Sequence, residues 1–543
     1  MADFTMLLQW LLLTMATLLF LNAVYKSIKS SKNTINDTSF KKGKKAPVAA
    51  GARPFIGHLH MLVGGKQLPH QALGKLADKY GPAFIINIGP NPELVVSSWE
   101  LAKECFTIND RCFTDRPSNK AMKYLTYDEA SVGFAPYGPL WVEMRKIAKS
   151  NCAFQQRLQV QKRVRVLEID LFFKELHELW SHAGAGATGT SVIPLSIDMK
   201  KWFEELTLNV ITRMVSGKHN YATKARKGDT EAKRFKRVIS EAAHFTGRLL
   251  LSDIFPSLGF LDNMQGRVNS MKRTGKELDS VLSSWVEEHR QKRVSGNKEQ
   301  SPEDDDVEQD FIDLTLSMME EIQLHWTDAD TFIKAICVGV ILGGSDTTSV
   351  GITWILSLLM NHPDVLKKAR EELDQQVGLE RKVDDSDLNN LAYLRAIVKE
   401  SMRLYQVGPL IERKAKQDCN IGGFHLKAGT RLLVNLSKVH KDPTVWSDPN
   451  EFRPERFFTT HTNIDIKGQN FELIPFGSGR RMCPGYLFAL SEIYLVLARL
   501  IHGFELRTPN DAKLDMTETS SVTNYRATPL QVLLTPRLSS KLY

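Results

Sequence analysis

The sequence predicts a mainly α-helical globular protein with a minor β region. Three observations point there. A mostly apolar helical pattern runs from about Thr327 to Met360 without a proline, and a second helical pattern covers Asn390–Tyr405. β-branched runs broken by turn residues occupy only short stretches. At 543 residues, with 42% hydrophobic and 24% charged side chains, the chain has an ordinary composition and can bury a sizeable core. No repeat or long disordered linker divides it, so residues 61–543 read as one folded domain.

The N-terminus reads "TMLLQWLLLTMATLLFLNAVY", Thr5 to Tyr25, without a charge. Its length suits a helix crossing a bilayer, which takes about 20 residues. Residues 1–25 are therefore expected to form a transmembrane anchor. A cleaved signal peptide is the competing reading, but the apolar run is long and no small-residue cleavage site follows. Lys26, Lys29, Lys32, Lys41, Lys42, Lys44 and Lys45 come next, opposed only by Asp37. They account for most of the net charge of +9 and place this side of the anchor in the cytosol. A basic arm directly after a membrane helix argues for a membrane partner, not nucleic acid. The Asn36-Asp37-Thr38 sequon is then expected to stay unglycosylated. Six cysteines without a CxxC pair give no disulfide framework and fit a reducing compartment.

Residues 26–60 form a basic linker and hinge, ending in "APVAAGARPFIGHL", where two prolines and two glycines turn the chain. "AFIINIGPNPELVVSS" reads as a hairpin about a Gly-Pro turn. Helical patterns follow, with surface loops at 183–191 and 293–310. In the long helix, Thr327 and Asp330 suggest a capping box. Its middle, "GGSDTTS", sets two glycines, an acid and hydroxyls where apolar residues pack better. Adjacent glycines cost about 1 kcal/mol each against alanine, and such local conflicts concentrate at functional sites. "GGFHLKAGTRLLVNLSKVH", Gly422–His440, reads as short strands joined by turns.

The stretch "PFGSGRRMCPG", Pro475–Gly485, surrounds one cysteine with glycines and arginines. Glycines let a backbone wrap closely around a sulfur. A helix beginning just after it, "YLFALSEIYLVLARL", favours a negative charge at its N-terminus. The loop is thus suited to holding a thiolate. Its spacing, Phe476, Gly479, Arg481, Cys483 and Gly485, matches the haem-ligand loop of the cytochrome P-450 superfamily, which the chain resembles along nearly its whole length. "FIGHL", "EEHRQKR", "QDFIDL" and "IPFGSGRRMCPG" look most like plant microsomal enzymes of specialised metabolism.

The resemblance implies the cytochrome P-450 fold over residues 61–543 and haem b (iron protoporphyrin IX) bound through Cys483. It implies haem-propionate contacts from Trp141 and Arg145 in "YGPLWVEMRK", from Arg413 in "GPLIERKA", and from Arg481. Glu412 and Gln406 stand where the family commonly has proline, which puts the path of that segment in question. Glu400 and Arg403 match ExxR and, with Arg456 of "FRPERF", imply a buried structural network. "GGSDTT", Gly343–Thr348, matches the oxygen-activation motif, with Asp346 and Thr347 relaying protons to dioxygen and the two glycines making room for it. No nucleotide- or flavin-binding motif appears, so electrons are expected from NADPH through a membrane-bound flavoprotein reductase. Arg145, Lys146, Lys149, Arg157, Lys162, Arg163 and Arg165 form a basic stretch suited to docking it. The implied function is monooxygenation of a small hydrophobic plant metabolite by hydroxylation or oxidative demethylation, at the endoplasmic reticulum membrane. An alkaloid such as a benzylisoquinoline derivative is the expected substrate. A terpenoid or phenolic substrate, a reductase-independent haem-thiolate isomerase or dehydratase, and a non-catalytic scaffold remain as alternatives. Substrate contacts are expected from 118–134, 339–343, 407–411 and 522–525.

Overall fold

The computed structural model describes Thr14 and residues 44–64, 67–152, 155–184, 194–248, 250–295, 309–321, 327–519 and 523–543. Apart from Thr14, the expected anchor lies outside the described residues. So do the lysine run up to Lys42, the sequon and most of the two surface loops. The described residues are mostly helical and fall into two compact units.

The first unit takes its residues from 44–120, 250–269 and 410–438. Its four-stranded sheet has the order Ala83–Ile88, Asn91–Val96, Arg431–Asn435, Leu410–Lys414. The first two strands are the expected hairpin, with Ala83 opposite Val96. Gly89 turns it at φ +60, and a Cβ there would lie 2.7 Å from an Ile254 methyl, so only glycine fits. Asn91–Val96 runs parallel to Arg431–Asn435, while Leu410–Lys414 pairs antiparallel on the far side. Glu412 sits in register opposite Leu433, so glutamate in place of proline leaves a regular strand with its N–H intact. Phe84, Ile86, Val95, Leu433 and Leu73 form this unit's core. A separate two-stranded ribbon, Cys419–Ile421 with Phe424–Leu426, completes the expected β region here.

The second unit takes its residues from 121–248, 270–409 and 439–543 and is dominated by helices. Its axis is the long helix Ala329–Asn361, which packs along Met199–Ser216 and touches Ala392–Leu404 and Tyr486–Gly503. The expected Thr327 cap is not formed. Asp328 is the N-cap, accepting from the Thr331 N–H at 2.8 Å, and Asp330 turns away to pair with Arg290. A carboxylate one residue closer satisfies the helix start, so the box is not needed. Ala329–Asn361 and Tyr486–Gly503 are long and apolar enough to cross a bilayer, but 67% and 72% of their most apolar windows are buried in the fold. They are core helices. A three-stranded sheet, Leu195–Asp198, Gln531–Pro536, Phe504–Arg507, closes the unit.

Candidate active site

The cysteine loop is shaped by its glycines. Gly477 and Gly479 take left-handed φ of 70 and 69. The Met482 N–H donates to the Gly479 carbonyl at 3.1 Å and the Cys483 N–H to the Phe476 carbonyl at 3.0 Å, closing the loop on itself. Cys483 is a free, half-buried thiol just ahead of the helix Tyr486–Gly503. Burial pushes the thiol up from its ordinary value, while the Gly485 N–H and the Arg145 charge pull it down. Gly485 has an ordinary φ of −96, and a Cβ there would meet nothing within 4 Å.

Trp141 and Arg145 share one face of the helix Pro139–Cys152, as their spacing requires. Both belong to the same unit as the cysteine loop, and Arg145 donates to the Met482 carbonyl. Arg481 lies with its guanidinium 4.7 Å from the centroid of a Trp141 ring and donates to the carbonyls of Ala135 and Gly133. The Trp141 indole N–H donates to the Val132 carbonyl at 3.0 Å. Arg145 keeps a buried Nε without a hydrogen-bond partner among the described residues. Arg480, adjacent to Arg481 but without a sequence rationale, lies against Tyr137. Arg413 belongs to the first unit, buried at 2% exposure, with its guanidinium 5.7 Å from the Phe106 ring.

The Glu400, Arg403 and Arg456 side chains meet as expected. All three are buried to 1% exposure or less. Glu400 accepts from Arg403 at 2.8 and 2.9 Å and from Arg456 at 2.9 Å, while the Arg453 backbone N–H adds a fourth bond at 3.0 Å. The arginines spend their remaining donors on the carbonyls of His440, Pro449, Ser447 and Glu451. Gln406, the other departure from proline, donates back to the Arg403 carbonyl.

The middle of the central helix has two different faces. Gly343 and Thr347, one turn apart, are exposed within a helix otherwise buried or half-buried. A Cβ on Gly343 would meet nothing within 4 Å, and the Thr347 hydroxyl donates to the Gly343 carbonyl at 2.6 Å. Gly344 differs from the expectation that both glycines make room for dioxygen. A Cβ there would lie 2.6 Å from the Ile211 Cδ1, so Gly344 lets the helix Met199–Ser216 approach. Asp346 turns away from Thr347, and no hydrogen bond joins the two side chains among the described residues. Its carboxylate accepts from the Tyr525 phenol and from Thr523. Burial pushes Asp346 up, and these two donors hold it down. Tyr525 was expected only as a substrate contact; its pairing with a residue 179 positions away has no local sequence signal.

The other expected substrate segments divide. Val132 faces the central helix at Gly339 and Val407 faces it at Gly351, where an added Cβ would lie 3.8 and 3.7 Å from them. Val522 lies outside the described residues. In the basic stretch, Lys146, Lys149 and Arg163 are exposed. Arg165 is not: it is 2% exposed and paired with Asp385 at 2.6 Å. With Arg145 also buried, neither contributes to an open basic face. The Arg157 side chain lies outside the described residues.

Residues 47–533 match the cytochrome P450 family. The chain is 50% identical to protopine 6-monooxygenase of Eschscholzia californica over 93% of each sequence. It is 48% identical to strychnine-10-hydroxylase of Strychnos nux-vomica, over 97% of this chain and 96% of that one. A zebra fish cytochrome P450 structure with progesterone superposes with a TM-score of 0.71 at 26% identity, covering 87% of this chain and all of that one. The cysteine loop, the ExxR helix and the GGSDTT helix all fall inside the matched region, and the chain belongs to the cytochrome P450 family of haem monooxygenases.

Proposed function

We propose that this monooxygenase oxidises a small hydrophobic plant alkaloid, by hydroxylation or oxidative demethylation, with Cys483 as the haem-iron ligand. The alkaloid assignment is supported by the substrates in the names of its close relatives. The observation that carries the site assignment is the Cys483 cradle. It presents a half-buried thiol beside a helix N-terminus, with the Gly485 N–H and the Arg145 charge at the sulfur.

The residues fit haem. The group needs an anionic sulfur ligand, donors for two carboxylates and space free of side chains. Burial pushes the Cys483 thiol up against the pull of the Gly485 N–H and Arg145, and a metal cation bound at the sulfur would favour the thiolate there. Arg145 holds a buried Nε without a hydrogen-bond partner among the described residues, and Arg481 and Trp141 form a layer with it. Gly343 and Gly485 are glycines that neither backbone conformation nor packing within the chain requires. Arg145 and Arg481, with Trp141 packed against Arg481, are thus proposed to hold the propionates; Arg413 keeps its proposed haem contact on its sequence motif alone. When bound, haem supplies the chemistry that activates dioxygen and oxidises the substrate.

The chain's own residues then have separable roles. Cys483 donates electron density through its sulfur. Thr347 presents a hydroxyl on the open face of the central helix and holds a proton at Oγ1. Asp346 holds an exchangeable proton behind that face. Gly343 keeps the face free of side-chain bulk. Glu400, Arg403 and Arg456 serve as a structural network.

Electrons are proposed to come from NADPH through a membrane-bound reductase, docked on the exposed Lys146, Lys149 and Arg163 with the half-buried Lys162. The uncharged N-terminal run and the lysines after it support an endoplasmic reticulum anchor with a cytosolic catalytic domain. The test combines microsomes, reductase and NADPH with panels of alkaloids, terpenoids and phenolics, read by mass spectrometry. An oxygenated or demethylated alkaloid that forms only with NADPH and disappears in Cys483→Ala is expected. Turnover of terpenoids or phenolics alone overturns the substrate class, and turnover without NADPH overturns the reductase.

A further inference from the structure

Consecutive side chains on a helix diverge by about 100°, and Asp346 uses that divergence to face away from the open face of the central helix. Its partners come from two other elements. The Tyr525 phenol and the Thr523 hydroxyl reach it from the C-terminal loop. Lys200 comes from the helix Met199–Ser216, with its ammonium 5.6 Å from the centroid of the Tyr525 ring. Glu204 stands one turn further along that helix, exposed, and interacts with Lys200 and Asp346 as well as with Asp198 and Lys236. Titratable side chains therefore stand between solvent, at the exposed Glu204, and the half-buried Asp346 in the middle of the central helix.

The loop carrying Tyr525 is fixed on both sides. The Asn524 N–H donates to the Val407 carbonyl at 2.8 Å, and the Trp354 indole donates to the Asn524 carbonyl at 2.6 Å. The Thr519 N–H donates to the Tyr525 carbonyl at 2.8 Å. The phenol is held in place by its backbone, and its hydroxyl is committed to the carboxylate.

We propose that Tyr525 is a positioning residue that holds the Asp346 carboxylate and, with Lys200 and Glu204, forms the path by which solvent protons reach the central helix. This rests on the role proposed above for Asp346. A relay acid must release its proton on one side and regain it on the other. Burial favours the protonated carboxyl, and the phenol's hydrogen bond favours the ionised one. Removing the phenol leaves burial less opposed, so Asp346 releases its proton more slowly.

The test uses the holoenzyme with its reductase. Tyr525→Phe is expected to lower kcat by about tenfold or more at unchanged KM, raise the solvent deuterium isotope effect and move the limb of the pH profile set by Asp346 to higher pH. The infrared band of the protonated Asp346 carboxyl, identified by its loss in Asp346→Asn, is expected to persist to higher pH. Thr523→Val gives the same shifts in smaller measure, and Glu204→Gln lowers kcat without altering the carbon monoxide difference band. If Tyr525→Phe changes KM or product profile while the isotope effect and infrared titration stay as in the wild type, Tyr525 is a wall of the substrate pocket and the proposal is wrong. The infrared titration needs no turnover, so it tests the Tyr525–Asp346 bond even if Asp346 proves to have no part in oxygen activation.

Discussion

Gly343 and Gly344 are neighbours with opposite duties, and their substitution separates those duties. Gly343→Ala places a methyl in open space and replaces a poor helix former with a good one. Stability should rise by up to about 1 kcal/mol. Gly344→Val drives into Ile211 and should destabilise by about 1–3 kcal/mol. Thermal unfolding of the two variants checks the contrast, and equal shifts contradict it. Glu400→Gln strips the charge that two fully buried arginines share. The expected loss is about 3–5 kcal/mol, and it should appear as poor folding and haem retention, not as an altered product profile.

At the scale of elements, the sequence showed where chemistry sits but not what each neighbour touches. The hairpin, the central helix and the Glu400–Arg403–Arg456 network were legible because each has a local signal: β-branched runs, a long mostly apolar stretch without proline, or a recognised spacing. The cap falls at Asp328, one residue past Thr327, because both adjacent side chains are good caps, while Asp330, the other half of the expected box, is drawn to Arg290, distant in sequence. The opposite roles of Gly343 and Gly344, and the Asp346–Tyr525 bond, depend on which helix or loop packs alongside. A linear pattern does not carry that information. The basic stretch was likewise half legible, since burial of Arg145 and Arg165 is a tertiary fact. Charge reversal at Lys149 and Arg163, one on each of two successive helices, should raise the apparent KM for the reductase, most strongly at low salt. Unchanged kinetics at low salt count against docking there.

Folding as a whole is coupled to proton binding at Glu492, a carboxyl 1% exposed in the helix Tyr486–Gly503. Burial pushes its carboxyl up to about 8, against the pull of Arg165. The folded chain therefore keeps this proton while the unfolded chain releases it near 4.5. Folding stability should fall as pH rises from about 4.5 to about 8 and then level off. Glu492→Gln should flatten that slope in denaturant titrations across the same range. An unaltered slope means that Glu492 is ionised in the native state.

The parallel pairing of Asn91–Val96 with Arg431–Asn435 sets a schedule for synthesis. Glu93 leaves the ribosome long before its register partner Arg431 exists. At about 5–20 residues per second, the sheet edge waits roughly 17–70 s for its neighbour. During that interval the hairpin carries an unpaired edge, blunted by Pro92 and Glu93 but ending in Leu94, Val95 and Val96, a surface that can recruit other chains. Production of this enzyme in a foreign host should therefore depend on chaperone capacity and translation speed as much as on the stability of the finished fold.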